Sequence, residues 1–127
     1  MLTRTQKVVV WAIDLGFITY WLLISLHILP AEAMFTGYEK PEVQAWNWSF
    51  LPLDILASLT GILGNTTKRL DKKTLLTISL VLTSVAGGMA IGYWAFIGNF
   101  ELSWWLPNLV LLLFPIWPLT NFVRKTR

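Results

Sequence analysis

The chain contains no cysteine and a single histidine, His27. The missing cysteines exclude disulfides, thiolate metal ligands and cysteine nucleophiles, while leaving the compartment open. One imidazole does not make a metal centre. Charge is scarce too: Asp, Glu, Lys and Arg make up 13% of the 127 residues, against roughly 25% in a soluble domain. No nucleophile elbow, phosphate-binding glycine loop or zinc motif occurs. The sequence therefore offers no catalytic residue, metal ligand set or cofactor site.

What fills the chain instead is apolar. Hydrophobic residues reach 55%, with a mean hydropathy of +0.59. A helix needs about 20 mostly apolar residues to cross a bilayer, so the length suffices for four spans and short connections. No room is left for a separate soluble domain. The net charge of +3 would point to nucleic acid only if the basic residues formed a patch on a soluble surface. Here they flank apolar runs, which points to membrane lipids as partners.

The first run, Val8 to Leu29, follows Arg4 and Lys7 and precedes Pro30 and Ala31-Glu32-Ala33. That imitates a secretory signal, but the run of 22 residues exceeds the usual length of about 7 to 15, and it carries Asp14. It reads as a retained helix. Residues 30–46 are too polar to span. A second run covers Trp48 to Gly64 and stops at Gly64-Asn65 before the basic stretch around Lys68-Arg69 and Lys72-Lys73. The third run is Thr74 to Ile97, and the fourth is Leu106 to Val123, with Pro107, Pro115 and Pro118 inside it. Pro107 fits near a helix start, whereas Pro115 and Pro118 predict a bend.

These features predict an all-α fold, a four-transmembrane-helix bundle forming one integral membrane domain over residues 1–127. Nine of the ten basic residues lie in the N-terminus, the second loop and the C-terminal tail, with Lys40 alone elsewhere. The lysine and arginine rule then makes the N- and C-termini cytoplasmic and the protein multi-pass in a cell membrane. Trp46, Trp48, Trp104 and Trp105 cluster at the outer ends, as an interfacial belt would. In the third run Ser84, Gly88 and Gly92 recur every four residues, with Gly87 beside them. Such a strip packs helices closely, within the chain or as a homo-oligomer.

Two acids lie within spans, where an aspartate costs roughly 2.5 to 3.5 kcal/mol on insertion scales. At 1.5 Å per residue, Asp14 sits about 9 Å inside the cytoplasmic end and Asp54 a similar depth from the outer end. They are not expected to be neighbours. Around Asp54 the expected company is Tyr20, Trp21 and His27 from the first run, Trp94 from the third and Asn108 from the fourth. An acid among aromatic faces suits a small apolar or cationic amphiphile. Three roles stay open: ligand binding around Asp54, a transporter or proton-coupled permease subunit using both aspartates, and a noncatalytic structural or envelope-stress protein.

The stretch Ala45-Trp46-Asn47-Trp48-Ser49-Phe50-Leu51-Pro52-Leu53-Asp54, with Gly61 and the later Trp104-Trp105-Leu106-Pro107-Asn108-Leu109, resembles the YvaD-like family of small bacterial membrane proteins over most of the chain. That resemblance implies a four-helix protein of a Gram-positive cytoplasmic membrane. A more distant pattern joins Ala45-Trp46, Ser49-Phe50-Leu51, Asp54, Leu106-Pro107-Asn108-Leu109 and Pro115. It is similar to the EXPERA family of emopamil-binding-protein relatives. The resemblance implies an intramembrane cavity for sterols or cationic amphiphilic drugs, with Asp54 as a pocket acid. Some of those proteins isomerise sterol double bonds, and such chemistry here would have to draw on Asp54 with His27 or Glu32.

Overall fold

A computed structural model describes residues 2–30, 32 and 37–125, and the described residues form helices without strands. Ala31 and Ala33 of the signal-like segment, and Thr126 and Arg127 of the tail, lie outside them. The helices are α1 (Arg4–Ser25), α2 (Pro41–Trp48), α3 (Phe50–Thr66), α4 (Lys72–Ile97), α5 (Leu102–Leu113) and α6 (Ile116–Lys125). Ser49 alone separates α2 from α3, and a break at residues 114–115 separates α5 from α6, so the six segments make four helical rods. α1, α4 and the stretch 102–124 are long and apolar enough to cross a membrane. α3, with 17 residues, is slightly shorter, and α2 extends it.

Local chemistry explains the boundaries. α1 begins at Thr3 with a capping box: the Thr3 hydroxyl accepts from the Gln6 N–H at 3.2 Å, and Gln6 Oε1 accepts from the Thr3 N–H at 3.0 Å. It ends before the apolar run does. His27 takes a left-handed conformation, φ 57°, while its N–H bonds the Ile24 carbonyl and that of Ile28 bonds Leu23, both at 3.0 Å. This is the Schellman arrangement, usually built on glycine. α4 starts at Asp71, whose carboxylate accepts from the Lys73 and Thr74 N–H groups, and ends at Gly98 with φ 87°. α2 stands where the composition suggested loop. Pro41 occupies its first turn and Glu42 favours the helix N-terminus there.

Prolines shape the last rod. α5 begins at Leu102, so Pro107 lies inside it rather than near its start, and leaves the Ser103 carbonyl without its usual donor. Pro115 cannot donate to Leu111, and the helix breaks there.

The rods pack in an open arc: α1 on α3, α3 on α4, and α4 on α5, with no extensive contact between α1 and α5. At one end Val10, Leu76, Leu80 and Phe122 bring α1, α4 and α6 together, and the basic residues Arg4, Lys7, Lys72, Lys73 and Arg124 belong to the same end. At the other, Val43 and Trp94 pack with Trp46, Tyr93 and Trp104. The small residues of α4 serve the contact with α5. A Cβ on Gly87 would stand 2.5 Å from the Leu112 nitrogen, Gly88 faces Leu112 Cδ1, and Ser84 Oγ donates to the Leu112 carbonyl at 2.8 Å. A Cβ on Gly92 would meet nothing within 4 Å outside its own helix backbone.

Candidate functional site: a cavity between α1 and α5

Where α1 and α5 face each other without packing, the arc leaves a partly open cavity of about 360 Å³. Ligand pockets typically span about 300 to 1,000 Å³, apolar with a few convergent polar groups. Here Phe17, Phe50, Ala86, Ala90 and Leu111 supply apolar wall, and Gly16 leaves space on α1, with no atom within 4 Å of where a Cβ would stand. The pleat of ring contacts around Trp46 covers the α2 end: Trp46 stacks on Tyr93 at 4.8 Å and meets Phe50 edge-on at 5.1 Å.

Asp54 is the acid of this wall and is only 6% exposed. Its Oδ2 accepts from the Trp21 indole N–H at 2.9 Å, and its Oδ1 has no partner. Above it, Asn47 Oδ1 accepts from the Tyr20 hydroxyl at 3.3 Å, leaving the Asn47 amide nitrogen without a partner. Asn108 donates to the Trp104 carbonyl of its own helix at 2.9 Å. The wall of this apolar space thus holds a buried carboxylate oxygen and a buried amide nitrogen, each without a partner. A hydroxyl satisfies such a pair, donating to the carboxylate and accepting from the amide, whereas a protonated amine satisfies the carboxylate alone and gains attraction from the aromatic faces nearby. Neither Lys nor Arg lines the cavity to neutralise Asp54.

Of the residues expected around Asp54, Tyr20, Trp21 and Asn108 line the cavity with it. Trp94 and His27 do not. Trp94 is buried in the cluster with Val43 and Trp46, and His27 is an exposed residue of the α1 C-terminal turn. Glu32 is exposed as well, so neither group that isomerase-like chemistry at Asp54 would need lies in the cavity. The sequence reading missed Asn47, Ser103 and Trp104 as lining residues. Asn47 carried a signal, a polar residue seven positions before Asp54 and so on the same helical side. Asp14 lies apart from this cavity, against α3 and α4, as the depth argument expected.

Fold and cavity together define a small helical membrane protein with an acid-bearing pocket. The chain belongs to the family of unknown function DUF5360, which it matches over residues 6–127. It is 41% identical over 127 residues to the uncharacterized protein YvaD of Bacillus subtilis (strain 168), an alignment covering 98% of this chain and 96% of that protein. The YvaD-like resemblance read from residues 45–54 and 104–109 therefore holds. No solved structure matches the chain.

Proposed function

We infer that this protein binds a small apolar or cationic amphiphile in the cavity between α1 and α5, with the polar head of the ligand against Asp54. The observation that carries the reading is the Asp54 carboxylate, buried in the wall of an otherwise apolar space, with one oxygen held by Trp21 and the other unpartnered. Purified protein is stabilised against heating by amphiphilic amines on this reading, and Asp54→Asn abolishes the effect while the fold persists. Absence of stabilisation by every member of a broad amine panel sinks the proposal.

The same reading places the protein in a bacterial cytoplasmic membrane with both termini inside, because the basic end of the bundle carries the excess of Lys and Arg. The cysteine-free chain makes this directly testable. In intact cells Lys40→Cys reacts with a membrane-impermeant maleimide, and Arg69→Cys reacts only after permeabilisation; the reverse pattern overturns the orientation.

A further inference from the structure

Asp14 is a second intramembrane carboxylate, and the cavity around Asp54 does not use it. It is 1% exposed, its Oδ2 has no hydrogen-bond partner, and it lies at the meeting of α1, α3 and α4. A separate cavity of about 10 Å³ adjoins it, lined by Val10, Ile13, Asp14, Ser79, Leu80, Thr83 and Phe114. That is close to the smallest volume able to hold one water-sized species.

The surrounding oxygens are arranged as acceptors. The Ser79 hydroxyl donates to the Ala57 carbonyl at 2.7 Å, and the Ser58 hydroxyl donates to the Asp14 carbonyl at 3.0 Å. Both protons are committed to backbone, which leaves the Ser79 oxygen with free lone pairs beside the Asp14 carboxylate. A Cβ on Gly61 would stand 2.0 Å from Asp14 Oδ2 and 2.7 Å from Ser79 Oγ, so glycine keeps these two oxygens close to one point. Thr83, a third hydroxyl-bearing or acidic residue, lines the same space. No other titratable or charged side chain from α3, α4 or the α5–α6 rod lines this space.

We propose that Asp14, Ser79 and Thr83 form a site for one small monovalent cation of sodium's class. Carboxylate and hydroxyl oxygens are hard donors that select hard cations. A single carboxylate balances one positive charge, and among the described residues no group of three His, Cys, Asp or Glu could hold a transition metal. An ionised aspartate inside a bilayer needs a partner of opposite charge, and the bound cation supplies it. Ile13 lines both cavities, and the cation braces the α1 to α3 packing beside the amphiphile cavity.

The test uses full-length protein in nanodiscs, with melting followed at constant ionic strength as choline chloride is exchanged for sodium chloride. Sodium raises the melting temperature to a plateau in wild type, and Asp14→Asn loses that rise while keeping its helical circular dichroism. Ser79→Ala, a milder change that leaves the carboxylate in place, shifts the half-saturating sodium concentration upward by about tenfold. Asp54→Asn leaves the sodium response unchanged, which separates this site from amphiphile binding. Equal melting in sodium and choline overturns the proposal, as does a full sodium response in Asp14→Asn.

Discussion

Replacing Gly87 by alanine drives α5 away from α4. The added methyl would stand 2.5 Å from the Leu112 nitrogen, 2.6 Å from the Asn108 carbonyl oxygen and 2.9 Å from the Leu111 carbonyl carbon. All three atoms are backbone, so no side chain can rotate out of the way. Moving from 2.5 Å to the 3.4 Å at which ordinary contact begins requires α5 to retreat by about 0.9 Å. The Ser84 hydroxyl bond to Leu112, 2.8 Å long, stretches with it. Overpacking costs about 1 to 3 kcal/mol, and a weakened interhelical bond adds about 0.6 to 1.7 kcal/mol. Alanine returns up to about 1 kcal/mol of helix propensity. Gly87→Ala is thus expected to destabilise by about 2 to 3 kcal/mol. Gly92→Ala is the internal control: nothing lies within 4 Å of its Cβ position, so it is neutral or stabilising. Reversible unfolding in mixed micelles measures both. A Gly87→Ala protein as stable as wild type, or less harmed than Gly92→Ala, refutes the packing of α4 on α5 described above.

Trp21→Phe removes the only hydrogen-bond donor to Asp54 among the described residues and destabilises by about 0.6 to 1.7 kcal/mol; unchanged stability contradicts the role given to the indole. His27→Gly relieves a left-handed non-glycine residue and raises stability by up to about 1 kcal/mol. It leaves amine stabilisation untouched, and a lost amine response returns His27 to the site. Asp71, outside the spans, accepts from the Thr74 hydroxyl at 2.7 Å and from the Thr74 N–H, which hold its carboxyl below the ordinary 3.8. A carboxyl lowered by folding stabilises the native state above its unfolded pKa and loses that contribution as pH falls through the lowered value. Asp71→Asn therefore flattens the decline in stability below about pH 4, and an acid transition identical to wild type contradicts the cap.

The apolar runs and the separate depths of Asp14 and Asp54 were legible because a bilayer imposes length and charge rules on any helix. Which side of each helix meets its neighbours was not. In lipid both the packed and the exposed sides are apolar, so no amphipathic stripe marks the interface. That is why Trp94 was expected at Asp54 and Trp104 was not. His27 was misplaced for a different reason. The apolar run extends to Leu29, but a backbone turn at residue 27 ends the helix first, and hydropathy does not report backbone conformation. Gly61 and Gly87 make closer approaches than Gly88 and Gly92, yet the four-residue repeat drew attention to the latter pair. Ser79 and Thr83, four apart and so on one helix side, line the space beside Asp14, a pattern the sequence carried unread; Ser58, four after Asp54, lines neither cavity and donates to the Asp14 carbonyl instead.

Occupancy of the space between α1 and α5 by an amphiphile with its head at Asp54 is best measured by photocrosslinking with a diazirine-bearing alkylamine and mapping the adducts. Saturable labelling of Phe17, Trp104 and Leu111 in the cavity wall is expected, lost in Asp54→Asn and in Gly16→Phe, which fills the space beside α1. Labelling confined to outward-facing residues such as Val81, Val85 and Met89, which are 44%, 46% and 57% exposed, and indifferent to both substitutions, would contradict it.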